Sequence, residues 1–344
     1  MFNYFTKILK ISLLSMFIVV EIFAGGGRRN GTAGAQELLI PVGARGLAFN
    51  GAYIAGLEGI EAIYYNPAGV GFSKTSTEAM FSHMNYIADI GVSFAAVTTS
   101  FEGLGTIGFS VKTLEFGDIP VTTVENPYGT GATFSPTFVT LGLTYANSLT
   151  DRIRVGVNIN VVTEKIMRTS ATGLSFDVGV QYNGIANVEG LKMGVVLKNF
   201  GGQMKFEGPD LIRKATDPNS LRGEQFYMID AASFELPSQL ELGLAYERRF
   251  EQDYKFILAS SFQNNNFAND EYKLAGEFAF QDMLFLRGGY SYAPEAQNSD
   301  ETVFGPTFGA GFNVNAGIDI TVDYAYRWAR YFDANHMFAI KLGF

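Results

Sequence analysis

From about residue 77 onward the chain breaks into short segments in which apolar and polar side chains alternate, each bounded by Gly, Asn, Asp or Pro. A period of two puts successive side chains on opposite faces, so this is the pattern of β-strands with one apolar face. In RIRVGVNINVV, Val155, Val157, Ile159 and Val161 share a face, and Arg154, Gly156, Asn158 and Asn160 share the other. LSFDVGVQY sets Phe176, Val178, Val180 and Tyr182 against Ser175, Asp177, Gly179 and Gln181. GIDITVDYAYR sets Ile318, Ile320, Val322, Tyr324 and Tyr326 against Asp319, Thr321, Asp323 and Arg327. Segments of this kind begin near residues 77, 90, 104, 136, 152, 172, 190, 238, 254, 271, 283, 303, 317 and 335.

The connections sort by parity. After even-numbered segments they are tight, as in FEGLG, NSLTDR and FQDM; after odd-numbered ones several are long, at 117–135, 201–237 and 293–302. Even strand number, short turns at one end and long loops at the other are the signature of outer-membrane barrels. Tyr86, Tyr145, Tyr182, Tyr246, Tyr290 and Tyr326 lie near segment ends, where an interfacial aromatic girdle would sit. The predicted fold is all-β: a transmembrane antiparallel β-barrel of about 14 strands over 77–344. The segment HMFAIKLGF places Phe338, Ile340, Leu342 and Phe344 on one side. In a closed barrel that strand pairs with the first, and lipid covers its outer face.

Composition agrees. Charged residues are 17% of the chain, below the roughly 25% usual for soluble proteins, while 31 Phe and 17 Tyr accompany one Trp. The net charge of −9 without a basic block argues against nucleic acid as a partner. The absence of cysteine excludes thiolate metal sites, and His83 and His336 read as strand residues, so neither cofactor nor metal is expected. GLGTIG, Gly103 to Gly108, satisfies a dinucleotide-loop spacing but enters an alternating strand instead of a helix. No nucleophile elbow or metalloprotease motif is found, so no enzymatic activity is expected.

Residues 1–24 read as a signal peptide: Lys7 and Lys10, an apolar run from Ile11 to Phe23, then Ala24 and glycines. A membrane-anchor helix is the alternative. The expected location is the bacterial outer membrane, with lipid and the barrel-assembly machinery as partners. A fourteen-stranded barrel is too wide for its own side chains to fill. Residues 25–76, dense in Gly and Ala and without alternation, are the candidate hatch, an ordinary loop being the alternative. In YYNPAGVG, Asn66 can cap a turn and Pro67 preset it. Lys112, Arg154, Asp177, Asp319, Asp323 and Arg327 take the lumen phase, as do Lys192, Lys198, Glu241, Glu247 and Arg287, and their mixed signs suit pairing with one another and the hatch. In the long loop before residue 238, Phe226, Tyr227, Met228 and Ile229 form a candidate partner-contacting surface.

The stretch GARGLAFNGAYIAGLEGIEAIYYNPAG resembles the PorV/PorQ family of outer-membrane proteins within the wider FadL-like superfamily. The resemblance is most specific at Gly43, Ala44, Arg45 and Gly46 and at Asn66, Pro67, Ala68 and Gly69. It implies a fourteen-stranded barrel with an N-terminal hatch, and a role in type IX secretion, contacting secreted cargo or secretion-system components at the cell surface. The FadL-like alternative is transport of hydrophobic small molecules; a passive membrane scaffold is a third reading. The terminal aromatic strand, Phe338 to Phe344, likewise resembles the signal that outer-membrane barrels present to their assembly machinery.

Overall fold

The computed structural model describes residues 29, 31–72, 75–216, 223–294, 296 and 302–344. The signal-peptide reading of 1–24 lies outside them.

Fourteen antiparallel strands close into one barrel. They are β1 (Thr77–Asn85), β2 (Gly91–Phe101), β3 (Gly105–Glu115), β4 (Thr137–Ser148), β5 (Ile153–Ile166), β6 (Thr169–Asn183) and β7 (Leu191–Gly201). The second half comprises β8 (Gln239–Phe250), β9 (Tyr254–Asn265), β10 (Glu271–Phe280), β11 (Leu284–Tyr292), β12 (Phe304–Asn315), β13 (Asp319–Ala329) and β14 (Asn335–Gly343). Every sequence-read strand is found within three residues of its expected start. Closure is direct: β14 pairs with β1, Phe81 opposite Ile340 and Met84 opposite Met337.

Turns after even strands occupy 102–104, 149–152, 184–190, 251–253, 281–283 and 316–318; the long connections 116–136, 202–238 and 293–303 all follow odd strands. The shortest connection, Met167 and Arg168, also follows an odd strand, and Met167 takes a positive φ to make it. The loops add small hairpins of their own, including Ile212–Ala215 paired with Gln225–Met228. Gly103 at φ 75° turns β2 into β3, so the GLGTIG spacing is a hairpin.

Side chains alternate as the sequence implies. Phe81, Phe109, Leu143, Leu258, Leu286 and Phe338 are exposed on the outer face, whereas Ser110, Lys112, Thr140, Asn158, Asp177 and Gln181 are buried toward the lumen. An apolar exterior around a polar interior is stable only with lipid outside. The chain is therefore a barrel of the bacterial outer membrane. Among the described residues no helix is long and apolar enough to cross a membrane. Tyr145, Tyr246 and Tyr290 stand exposed on the outer face, as a girdle requires. Tyr86 does not: it follows β1 and turns inward, 5.9 Å from the Phe304 ring.

Candidate functional site: the hatch and the vestibule above it

The lumen is filled by the segment from Ala35 to Phe72. It has two short helices, α1 (Ala44–Ala48) and α2 (Ala62–Tyr65), and 3-10 turns at Gln36–Leu39 and Pro67–Gly71. Small residues let this coil lie against the wall. A side chain at Gly156 of β5 would collide with the backbone of Pro67 and Ala68, and one at Gly194 of β7 with that of Ile54 and Ala55. Inward-facing glycines on strands thus mark where the hatch backbone docks. Apolar hatch residues complete the seal: Phe49, Tyr53, Ile54 and Leu57 pack with Val196, Ala245 and Ile257 of the wall.

Asn66 is fully buried and its side chain makes three hydrogen bonds. Its Oδ1 accepts from Ala68 N at 3.2 Å, capping the turn that Pro67 begins, while Nδ2 donates to Ile54 O at 3.0 Å and Val180 O at 3.2 Å. The sequence signalled the cap; the bond to the wall at Val180 was not legible. Gly43, at φ 76°, enters α1, and its N–H donates to Ser82 Oγ at 3.3 Å. Ala44 and Gly46 are buried beside it, Gly46 leaving room for the Tyr65 ring.

The lumen charges form two chains that tie hatch to wall. Arg45 donates to Glu277 of β10 through Nε at 3.2 Å and Nη2 at 3.1 Å. Glu277 also accepts from Arg287 Nε at 2.6 Å, and Arg287 in turn pairs with Asp323. Toward the short-turn end, Glu58 of the hatch lies 3.2 Å from Arg154 and 3.3 Å from Lys192; Lys192 continues to Glu247 at 2.7 Å, which accepts from Tyr53 OH at 2.5 Å. Alternating signs let each buried charge face an opposite one. Burial, and then the nearby Asp323 charge, pushes the Glu61 carboxyl of the hatch up to about 7.

Lys112 donates not to a carboxylate but to two hatch carbonyls, Glu37 O at 2.5 Å and Ile40 O at 2.6 Å. Asp177 sits at a register irregularity between β6 and β7, where it accepts from Asn199 N at 2.7 Å and from Asn158 and Asn160 at 3.2 and 3.0 Å. Arg327 donates to Asn335 at 3.0 Å and lies 3.7 Å over the Phe304 ring. Asp319, in the same phase, is only half-buried beside a short turn and accepts from Asn313. Glu37, Glu58, Tyr53 and Tyr65 were not singled out from sequence. Their signal was a few acids and tyrosines inside an otherwise Gly- and Ala-rich coil, where a buried polar group needs a partner.

Above the hatch, at the long-loop end, lies a cavity of about 950 Å³. One wall is aromatic and aliphatic: Tyr86, Ile90, Leu114, Phe116, Phe138 and Phe304. The opposite wall carries Lys198, Gln239, Glu241, Gln263, Asn265 and Lys273, and the floor is Ile40, Leu47, Tyr64 and Tyr65. Tyr64 and Lys198 also border a second cavity, of about 40 Å³, reaching Lys112 and Asp177. Phe226, Tyr227, Met228 and Ile229 are elsewhere, exposed on the loop hairpin outside the barrel. Among the described residues no group of three or more acids or histidines is placed to hold a metal ion.

No family model and no curated protein matches the sequence. Solved structures do match in fold. The toluene transporter TbuX of Ralstonia pickettii is 12% identical, with a TM-score of 0.55 over 88% of this chain and 98% of that one. The monoaromatic hydrocarbon channel CymD is 12% identical, with a TM-score of 0.53 over 88% and 97%. The Pseudomonas putida toluene transporter TodX is 12% identical, with a TM-score of 0.52 over 85% and 96%. At such identity the likeness establishes the fold, a barrel of the hydrocarbon-channel type.

It also corrects the sequence reading. The barrels that share this architecture are toluene transporters and a monoaromatic hydrocarbon channel and not PorV/PorQ proteins, so that assignment, with its type IX secretion role and its secreted-cargo partners, does not stand. The GARG and Asn-Pro-Ala-Gly stretches had carried the assignment. Both have local structural reasons, a helix start at Gly43 and a capped turn at Asn66, which a hatch in either group would need.

Proposed function

We propose that this barrel carries small hydrophobic molecules across the outer membrane. The observation that carries the reading is the vestibule: an aromatic-walled cavity of about 950 Å³, placed at the outer end of a closed barrel and floored by a hatch. Binding sites for small molecules are concave, largely apolar and supplied with a few polar groups, and this cavity has that make-up. The named activities of TbuX, CymD and TodX, which share the fold, point the same way. A solute collects against Tyr86, Phe116, Phe138 and Phe304, and passage inward requires the hatch to yield, because hatch and wall are packed together below. No bond is made or broken, and the chain acts as a channel and not as an enzyme.

The test is uptake. Cells whose own hydrophobic-solute channels are deleted should take up a monoaromatic probe faster when this chain is expressed. Phe116→Ala with Phe138→Ala, which removes much of the aromatic wall, should return uptake most of the way to the background. Uptake equal to background for several apolar probes, with the barrel present in the membrane, would refute the reading.

A further inference from the structure

Between Gly59 and Val70 every hatch residue is buried except Tyr64, which is half-buried and borders the vestibule. Its side chain is thus the part of this stretch that a solute can touch. The same side chain holds the strap 35–40, its hydroxyl donating to Leu38 O at 3.1 Å. Lys112 holds the carbonyls on either side, Glu37 O at 2.5 Å and Ile40 O at 2.6 Å, and its ammonium lies 5.1 Å from the Tyr64 ring centroid. Three carbonyls of one short turn therefore hang on two side chains in cation–π contact. Lys112 is buried and borders the smaller cavity, so of the two only Tyr64 meets the vestibule. Tyr64 and Lys198 are the residues that border both cavities, and the smaller one gives the Tyr64 ring room to turn in an interior that is otherwise close-packed.

Resting on the transport reading above, we propose that Tyr64 is the positioning residue through which a solute in the vestibule releases the strap: its ring meets the solute and its hydroxyl pins Leu38. Aromatic rings attract one another best in offset or edge-on arrangements, and a ring pinned at its hydroxyl is fixed in angle. An aromatic solute gains contact when the ring is free to turn, and turning draws the hydroxyl from Leu38 O. The solute then binds the released state better than the pinned one, and such a difference is what allows a ligand to shift an equilibrium. Lys198 lies 4.0 Å from the ring centroid and 3.8 Å from Glu241, so it keeps a partner when the ring turns. Release gives up one neutral hydrogen bond, a small loss beside the contacts of the whole hatch. The Asn66 turn, bonded to Ile54 O and Val180 O, and Arg45, bonded to Glu277, stay seated.

The experiment follows amide exchange of the full chain in lipid nanodiscs with and without saturating naphthalene, binding being read separately from naphthalene fluorescence. In the parent, naphthalene should speed exchange at Leu38 N and Ile40 N severalfold and leave Asn66 N and Gly69 N, bonded to Ala62 O and Asn66 O, as they were. Tyr64→Phe keeps the ring and removes the pin. Its strap amides should exchange at the faster rate with or without naphthalene, while naphthalene still binds. Strap exchange that bound naphthalene leaves unchanged or slows in the parent overturns the role of Tyr64 and leaves the transport reading in place. So does equal acceleration in the parent and Tyr64→Phe, or acceleration that spreads to Asn66 and Gly69. Failure of naphthalene to bind overturns both.

Discussion

The Arg154 guanidinium of β5, only 2% exposed, lies 3.2 Å from the Glu58 carboxylate of the hatch. Glu58 also holds Lys192, whose second partner is Glu247. Loss of Glu58 therefore strands Arg154 in a buried site, whereas loss of Lys192 leaves Glu58 its bond to Arg154. The Glu58 side chain is about a third exposed, so its removal costs less than the roughly 3–5 kcal/mol of a fully buried pair, but the buried Arg154 keeps its desolvation penalty. Glu58→Gln should lower the temperature at which the barrel unfolds in detergent, followed by its mobility shift in gels, well below that of Lys192→Gln. Equal shifts for the two variants would contradict this arrangement.

Gly156 tests the seal. An added Cβ there has only hatch backbone to meet, at Pro67 and Ala68, and backbone cannot rotate out of the way as a side chain can. Gly156→Val should push the Pro67–Gly71 turn off the wall without disturbing the outer face, and planar-bilayer conductance should rise from near background to discrete openings. Asn66→Ala should act in the same direction by orphaning Ala68 N, at about 1–3 kcal/mol for a group left unpaired, and by removing the hatch-to-wall bond at Val180 O, while Ile54 O keeps its bond from Gln181 Nε2. Silent bilayers for both variants would show that the hatch is held mainly by other contacts.

These contacts mark where sequence reasoning ran out. Strands were legible because lipid on one side and lumen on the other enforce a period of two, and Lys112, Arg154, Asp177, Asp323 and Arg327, all in the polar phase, are buried. Their partners were not legible, since Glu58, Glu37 and Tyr64 belong to a coil with no period from which orientation can be read. The vestibule was likewise hidden: Phe116 and Phe138 come from different strand ends, meeting edge to face at 4.8 Å, and only closure of the barrel sets them opposite Gln263 and Lys273. The Phe226–Ile229 cluster, conspicuous in sequence, stays outside the barrel. The family misassignment has the same origin, because a capped turn reports local backbone needs and not what passes through the pore.

The last strand gives a prediction that separates assembly from stability. Phe344 closes the ladder with its backbone, its N–H donating to Thr77 O at 2.8 Å, while its side chain is exposed, as are those of Phe338 and Ile340. Among the described residues that ring stacks on no other aromatic ring, and about half of it is exposed on the outer face. If the outward aromatic is what the assembly machinery reads, Phe344→Ser should cut the amount of barrel in the outer membrane severalfold, while the molecules that do assemble unfold at nearly the parent temperature. A parallel loss of yield and of unfolding temperature would make the ring structural instead.

Glu37 supplies a dependence on pH. Its carboxyl is buried against the wall, facing the Glu164 carboxyl of β5, while the Lys112 ammonium is bound to backbone carbonyls at Glu37 and Ile40. Burial first, and then the Glu164 charge, push Glu37 up to about 8 from an ordinary 4.5, Lys112 opposing in part. With the strap 35–40 docked, Glu37 thus keeps its proton over a range where a released, solvated Glu37 has lost it. The docked state binds more protons, so docking weakens as pH rises: the penalty is absent below about 4.5, grows between there and about 8, and is full above. Leu38 N and Ile40 N, bonded to Ala35 O and Glu37 O, report on the strap through hydrogen exchange. Glu37→Gln, a neutral stand-in for the protonated acid, should protect these amides equally at low pH and better than the parent above about pH 8, when the two are compared at each pH so that intrinsic exchange cancels. Matching protection in both proteins from about pH 5 to 9 would mean that Glu164 and Lys112 leave this carboxyl free to ionise in place.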